Sequence, residues 1–293
     1  MSKIKTYFDG DRVYQQDVVD AANYSQTIAL LRSFFSSRGF LETPTQSRLS
    51  ILAACEDPTT VAVFNFLGNA WPLPQTGQMW LEYELLTNPK AKGFYCVSTS
   101  YREEKNPIPG RHRVIFPMFE FETHGTQEDL KKLEIDLLKH LGLDADGKSI
   151  KEVSYEKAAS FYGVTEISAA EENKMTKDFA KNVLLCDFPT HTSPFWNMKL
   201  FEDKKKAKKI DVIIEGMETI GSAERSSNKE EMKHMFHNIS DGLYAKSLFD
   251  KFGKERVENE LEDYFKFNFF PRCGGGIGVT RLISALLKNK VIG

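Results

Sequence analysis

Residues 94–123 read FYCVSTSYREEKNPIPGRHRVIFPMFEFET. The first nine are mostly aromatic, β-branched and small, the pattern of a strand over 94–102. A loop rich in Pro and Gly follows, Asn106-Pro107-Ile108-Pro109-Gly110, and residues 114–123 then resume a strand pattern. Two such runs predict a long antiparallel hairpin. Alternation along the second strand sets Glu120 and Glu122 on one face. Arg102, Glu103, Glu104, Arg111, His112 and Phe116 travel with them, so the hairpin can offer cations, an aromatic face and carboxylates to one side. That mixture suits a nucleotide, with a cation on phosphate, an aromatic ring on the base and carboxylates on an amine or metal.

Outward from the hairpin, apolar periodicity predicts helices over 24–39, 77–86, 127–141, 153–182, 228–251, 254–265 and 279–287. Short strands are expected at 40–44, 61–66, 183–188, 195–201, 210–216 and 267–272. Residues 202–209 carry five lysines and suit an exposed turn. Hairpins separated by groups of helices indicate an α+β fold with an antiparallel β-sheet flanked by helices, not a doubly wound parallel sheet. No repeat or low-complexity linker divides the chain, so residues 1–293 are expected to form one domain.

The 293 residues balance 39 basic against 41 acidic side chains, a net charge of -2, with 41% hydrophobic residues. This is a globular composition, with no bulk charge for coating nucleic acid. No apolar run is long enough to span a bilayer and no signal sequence opens the chain, so a cytoplasmic location without membrane attachment is expected. Cys55, Cys96, Cys186 and Cys273 are widely spaced, against a zinc site or a disulfide framework. His234 and His237 share a helical face but lack a third ligand, so a metal role is not assigned to them.

Two further constellations carry chemistry. Gly274-Gly275-Gly276-Ile277-Gly278-Val279-Thr280-Arg281 reads as a strand-to-helix junction, where glycines let a ligand approach backbone and Arg281 can clamp a phosphate. Its place near the C-terminus argues against a dinucleotide fingerprint. Asp211 and the segment Glu218-Thr219-Ile220-Gly221-Ser222-Ala223-Glu224-Arg225 set carboxylates at strand ends, suited to Mg²⁺, followed by an arginine suited to a carboxylate or amide.

Together these segments resemble the catalytic domain of class II aminoacyl-tRNA synthetases, aspartyl/asparaginyl branch, over about residues 25–290. Arg38-Gly39-Phe40-Leu41-Glu42-Thr43-Pro44 resembles the first motif of that class, Tyr101-Arg102-Glu103-Glu104 with Arg111-His112 and Phe116 the second, and Gly274-x-Gly276-x-Gly278-x-x-Arg281 the third. Thr76-Gly77-Gln78, Asp187-Phe188-Pro189 and Pro194-Phe195-Trp196-Asn197-Met198-Lys199 are similar to further segments of the branch.

The resemblance implies a homodimer that uses ATP and Mg²⁺. It implies ATP binding by Arg102, Glu104, Arg111, His112, Phe116, Gly276, Gly278 and Arg281. It implies amino-acid binding by Gln78, Glu120 and Arg225, a metal at Asp211 and Glu218, and Arg102, Glu218 and Arg281 as the catalytic set. Ile115, Leu81, Arg272-Cys273 and Ser222 depart from the family pattern, and Leu81 stands where aspartate-specific relatives place a lysine. The core is expected to begin near residue 20, without an anticodon-binding module. The expectation is therefore an ATP-dependent adenylate-forming ligase for an Asp- or Asn-like amino acid, with transfer to ammonia or another non-tRNA acceptor, as in asparagine synthetase A-like paralogues. The alternatives are a compact asparaginyl-tRNA synthetase-like enzyme that charges tRNA and a non-catalytic regulatory paralogue that binds ATP or an amino acid.

Overall fold

A computed structural model describes residues 4–9, 12–17, 19–45, 49–54, 57–108 and 112–293. A hairpin of β1 (Ile4–Asp9) and β2 (Arg12–Asp17) precedes α1 (Ala21–Ser37) and the short β3 (Leu41–Glu42). A second hairpin, β4 (Val63–Phe66) and β5 (Asn69–Pro72), leads to α2 (Gln78–Thr87). The long hairpin follows as β6 (Gly93–Tyr101) and β7 (Ile115–His124), then α3 (Gln127–His140), β8 (Ile150–Ser154), α4 (Tyr155–Tyr162) and α5 (Ala169–Asp178). Next come β9 (Asn182–Pro189), β10 (Lys206–Ile214) and β11 (Met217–Arg225). The chain ends with α6 (Lys229–Asn238), α7 (Leu243–Phe252), α8 (Lys254–Tyr264), β12 (Arg272–Gly278) and α9 (Val279–Lys288).

Eight strands form the main sheet in the order β3-β6-β7-β12-β11-β10-β9-β8. Pairing is antiparallel from β6 through β9, and the outer strands β3 and β8 join parallel. The expected α+β sheet flanked by helices is therefore present. One face buries Phe34 and Phe35 of α1, Leu130 and Leu137 of α3 and Leu282 and Leu286 of α9 against Phe119, Phe121, Ile220 and Ile277. Burying a side chain of this kind stabilises by about 1.5–3 kcal/mol, so this layer anchors the sheet on that face. The other face carries α2 and the α6–α8 group, packed through Met79, Trp196, Ala223, Phe236, Tyr244 and Leu261. No helix among the described residues is long and apolar enough to cross a membrane.

Local chemistry sets the element ends. The α3 helix starts at a reciprocal cap, in which the Thr126 amide donates to Asp129 Oδ2 at 2.9 Å and the Thr126 side chain accepts from the Asp129 amide. Helix α4 stops at Gly163, whose φ of 68° lies in the left-handed region that glycine tolerates. That stop divides the helix expected over 153–182, whose first residues belong instead to β8. The helix expected over 228–251 is likewise broken at Ile239–Gly242, where Ser240 and Asp241 both adopt φ of 54°.

The strand expected over 195–201 is absent. Phe195, Trp196 and Asn197 are buried in succession, without the two-residue period of a strand, and only isolated bridges form at Met198 and Leu200. The last strand begins at Arg272 rather than ending there, so the glycine cluster lies within a central strand, not at a turn. Its neighbours explain the glycines: a Cβ at Gly275 would stand 2.6 Å from the Ser222 Cβ.

Candidate active site

Two adjoining cavities open on the face carrying α2. The first, about 260 Å³, is lined by Arg102, Glu104, His112, Phe116, Glu218, Gly276, Gly278 and Arg281, among others. The second, about 220 Å³, is lined by Gln78, Glu82, Asp211, Glu218 and Arg225, among others. Arg102, Met118, Glu218, Gly221 and Gly276 line both. The residues expected at ATP thus gather in one cavity, and Gln78 and Arg225, expected at the amino acid, in the other. Arg111 lies outside the described residues.

The first cavity takes its shape from the β6–β7 hairpin and the β12–α9 junction. The Arg102 amide donates to the Val114 carbonyl at 2.7 Å, closing the hairpin's open end. The Arg102 guanidinium lies 5.5 Å from the Phe116 ring centroid. His112 Nδ1 lies 2.8 Å from Glu104 Oε2. Across the cavity, Arg281 donates to the Glu218 carbonyl at 2.6 Å and stands 3.7 Å from its carboxylate. Gly276 has no side chain between Gln78 and Met118, where an added Cβ would lie 2.8 Å from each. The chamber therefore has a backbone floor, an aromatic face at Phe116 and arginines on two sides, a set suited to a polyphosphate joined to a ring.

The second cavity rests on a buried ionic group. Arg225 pairs with Glu122 at 3.1 Å and Glu82 at 3.6 Å, and Arg272 pairs with Glu82 at 2.9 Å. All four residues are at most 4% exposed. Two arginines against two glutamates make the group neutral, which is how charges survive in a dry interior. Burial raises the pKa of the Glu122 carboxyl, and the Arg225 charge beside it works against that rise. Burial works against the Arg225 charge too, but Glu122 and Glu82 outweigh it and hold the guanidinium pKa above its ordinary value. Arg225 also donates to Gln78 Oε1 at 3.0 Å, so it reaches the cavity already engaged.

Glu120, expected at the amino acid, lies apart from both cavities. It is fully buried behind the start of α2. Its carboxylate accepts from the Gly77 amide at 2.7 Å, from Ser98 Oγ at 2.5 Å and from the Thr76 hydroxyl. Burial raises its pKa, and the Ser98 and Thr76 hydrogen bonds work against that rise. Glu120 thus ties down the Thr76-Gly77 turn that leads into Gln78. The reason is strand pleat: Glu120 faces the Thr76-Gly77 turn, and that turn covers it.

Asp211 and Glu218 do converge. A Cβ on Gly221 would lie 3.3 Å from Glu218 Oε1 and 3.6 Å from Asp211 Oδ1. No group of three metal-ligating side chains exists among the described residues. Two carboxylates fit Mg²⁺ where most of its ligands are phosphate oxygens and water. Asp211, however, already has a neighbouring cation, with Lys209 Nζ 3.4 Å from its Oδ2. Leu81 packs with Leu85, Phe94 and Cys96 and lines neither cavity. His237 bonds Glu258 at 3.0 Å, across α6 and α8. Cys96, Cys186 and Cys273 are buried free thiols, and Cys55 lies outside the described residues.

Sequence reasoning missed Glu82, Lys209 and the pairing of Arg272. Glu82 is one carboxylate on a helix, which reads as surface, and Lys209 belongs to a lysine run. Arg272 carried a signal, since it departs from the family's residue beside the glycines.

A family model described as tRNA synthetases class II (D, K and N) matches residues 17–293. A probable cytoplasmic asparagine–tRNA ligase of Enterocytozoon bieneusi is 24% identical over 92% of this chain and 62% of its own length. An asparagine–tRNA ligase of Koribacter versatilis is 24% identical over 86% of this chain and 61% of its own length. The chain thus spans about three fifths of these relatives. The crystal structure of asparaginyl-tRNA synthetase from Pyrococcus horikoshii complexed with asparaginyl-adenylate superposes with a TM-score of 0.73. It is 21% identical, over 91% of this chain and 64% of that one.

Proposed function

The chain belongs to the class II tRNA synthetases of the D, K and N group, and from that premise we propose that it activates asparagine with ATP as the aminoacyl-adenylate. The observation that carries this reading is the shared wall of the two cavities, with Arg102 and Glu218 on it. ATP in the first cavity sets its α-phosphorus beside an amino acid in the second. The α-carboxylate attacks that phosphorus in line, pyrophosphate leaves, and the mixed anhydride forms at the wall. Arg102 meets the charge that grows on the α-phosphoryl oxygens, Phe116 stacks on the base, and His112 and Arg281 hold the outer phosphates. No protein base is needed, because the attacking carboxylate is already ionised. Mg²⁺ bound with the nucleotide would supply further charge compensation, and Glu218 would hold it.

The neutral ionic group supports an amide side chain. An aspartate would bring another carboxylate beside Glu82 and Glu122, where both arginines are already paired. Burying it unpaired is costly. An amide oxygen accepts from Arg225 and its nitrogen donates to a carboxylate, at no change in charge. Tasks named for the relatives, asparagine–tRNA ligases, support tRNA as the acceptor. We therefore favour tRNA charging over transfer to ammonia or another acceptor. The exposed Leu41 on the sheet's edge strand supports a homodimer built through residues 38–44. The Enterocytozoon relative is named as cytoplasmic, which supports the same compartment.

ATP–pyrophosphate exchange against all twenty amino acids tests the first step, and acylation of total tRNA the second. Asparagine-dependent exchange is expected. Arg102→Ala should lower it by about 10²–10³-fold, the usual cost of losing a preorganised donor to transition-state charge, with the fold intact. Exchange with aspartate in preference to asparagine would remove the assignment of the amide.

A further inference from the structure

Lys209 has no part in the mechanism above, yet it lines the amino-acid cavity. Its placement follows from an irregularity in the sheet. Ala207 pairs with Phe188 and Ile210 with Cys186, so β10 has one residue more than β9 between these pairs. Such a bulge re-aims side chains. Lys208 turns to Glu224, at 3.1 Å, while Lys209 sits opposite Ala223 and two residues before Asp211, on the site face. Its ammonium lies 3.4 Å from Asp211 Oδ2 and 4.6 Å from the Phe188 ring centroid. The two side chains are only 14% and 11% exposed. A carboxylate and an aromatic ring thus hold one cation in a mostly dry wall.

A divalent ion at Asp211 would have to displace that ammonium or sit against it, and like charges at such range in a poorly solvated wall repel strongly. We propose that Lys209 is the resident counter-cation of Asp211. It withdraws Asp211 from metal binding and leaves Glu218 as the protein carboxylate that meets the nucleotide's ion. This rests on the reading of the first cavity as an ATP site, but its test does not require ATP.

Mn²⁺ is titrated into the nucleotide-free full chain, and free ion is followed by electron paramagnetic resonance. The wild type and Asp211→Asn should bind alike, since Asp211 is not a ligand. Lys209→Met should bind at least about tenfold more tightly. Lys209→Arg, which keeps the charge, should stay at the wild-type affinity, and adding Asp211→Asn to Lys209→Met should abolish the gain. Equal affinity in Lys209→Met and the wild type overturns the proposal, as does weaker binding in Asp211→Asn alone. The second comparison decides even where Lys209→Met fails to fold. Absence of pyrophosphate exchange with every amino acid would sink the proposed function without altering these Mn²⁺ affinities.

Discussion

Replacing Glu134 by glutamine should stabilise the protein, and by an amount that grows with pH. Glu134 lies on α3 where the helix meets the sheet, fully buried beside Leu130, Leu137 and Leu138. Ser222 is near enough to ease its ionisation, but the Ser222 hydroxyl donates to the Ile210 carbonyl at 3.2 Å. Neither carboxyl oxygen has a hydrogen-bond partner among the described residues. Burial pushes the carboxyl up to about 8, from an ordinary value of 4.5 that the unfolded chain keeps. Below 4.5 both states are protonated and the shift has no effect. Between 4.5 and 8 the unfolded chain releases a proton that the folded chain retains, so stability falls as pH rises. Above 8 the difference is constant.

The slope is at most about 1.4 kcal/mol per pH unit, which accumulates to roughly 3 kcal/mol by pH 7. Glutamine keeps the shape and does not titrate. Urea unfolding at pH 4, 5.5, 7 and 8 is the assay. The variant should match the wild type within about 1 kcal/mol at pH 4 and exceed it by roughly 2–3 kcal/mol at pH 7. Parallel pH profiles for the two proteins would refute the account of a carboxyl held neutral by burial.

Gly274→Ala drives a Cβ into the Glu122 carboxylate and the Phe121 backbone carbonyl, so a loss of about 3 kcal/mol or insoluble protein is expected, read by thermal melting. Gly276→Ala meets only the ends of Gln78 and Met118, both flexible. It should fold with a near-normal melt and show raised KM values for ATP and amino acid in pyrophosphate exchange. Arg272→Met leaves Glu82 short of one partner in the buried group and should cost about 3–5 kcal/mol in urea unfolding. Adding Glu82→Gln should recover part of that loss, and no recovery would mean that Arg272 acts by packing alone.

Periodicity located the elements whose burial has one simple period. Helix α3, the β6–β7 hairpin and α9 all fall within a residue or two of their expected ends. It failed where burial has no period, as at Phe195-Trp196-Asn197, where three successive side chains turn inward to reach α2 and the α6–α8 group. It failed also where a glycine or a left-handed residue interrupts a charged stretch, at Gly163 and at Ser240-Asp241. The residues that gather in the first cavity were legible because their types and order match a motif. Glu82 was not, because a helical glutamate looks the same on paper whether water or Arg272 faces it. Glu120 and Glu122 were correctly set on one face, but alternation cannot say that a turn covers the first and an arginine meets the second. The purpose of the glycines lies in the adjoining strands and in Gln78, which sequence distance hides.

The common wall between the two chambers bears on how this protein would be inhibited. A fragment held in one chamber ends at Arg102, Met118 and Gly276, the same side chains that a fragment in the other must touch. Two weak fragments therefore need only a short, non-hydrolysable bridge. Once one is seated, the other is confined at high effective concentration, so the linked molecule gains affinity without any new contact. The bridge should carry a negative charge where it passes Arg102, and a neutral linker of equal length would forfeit part of that gain.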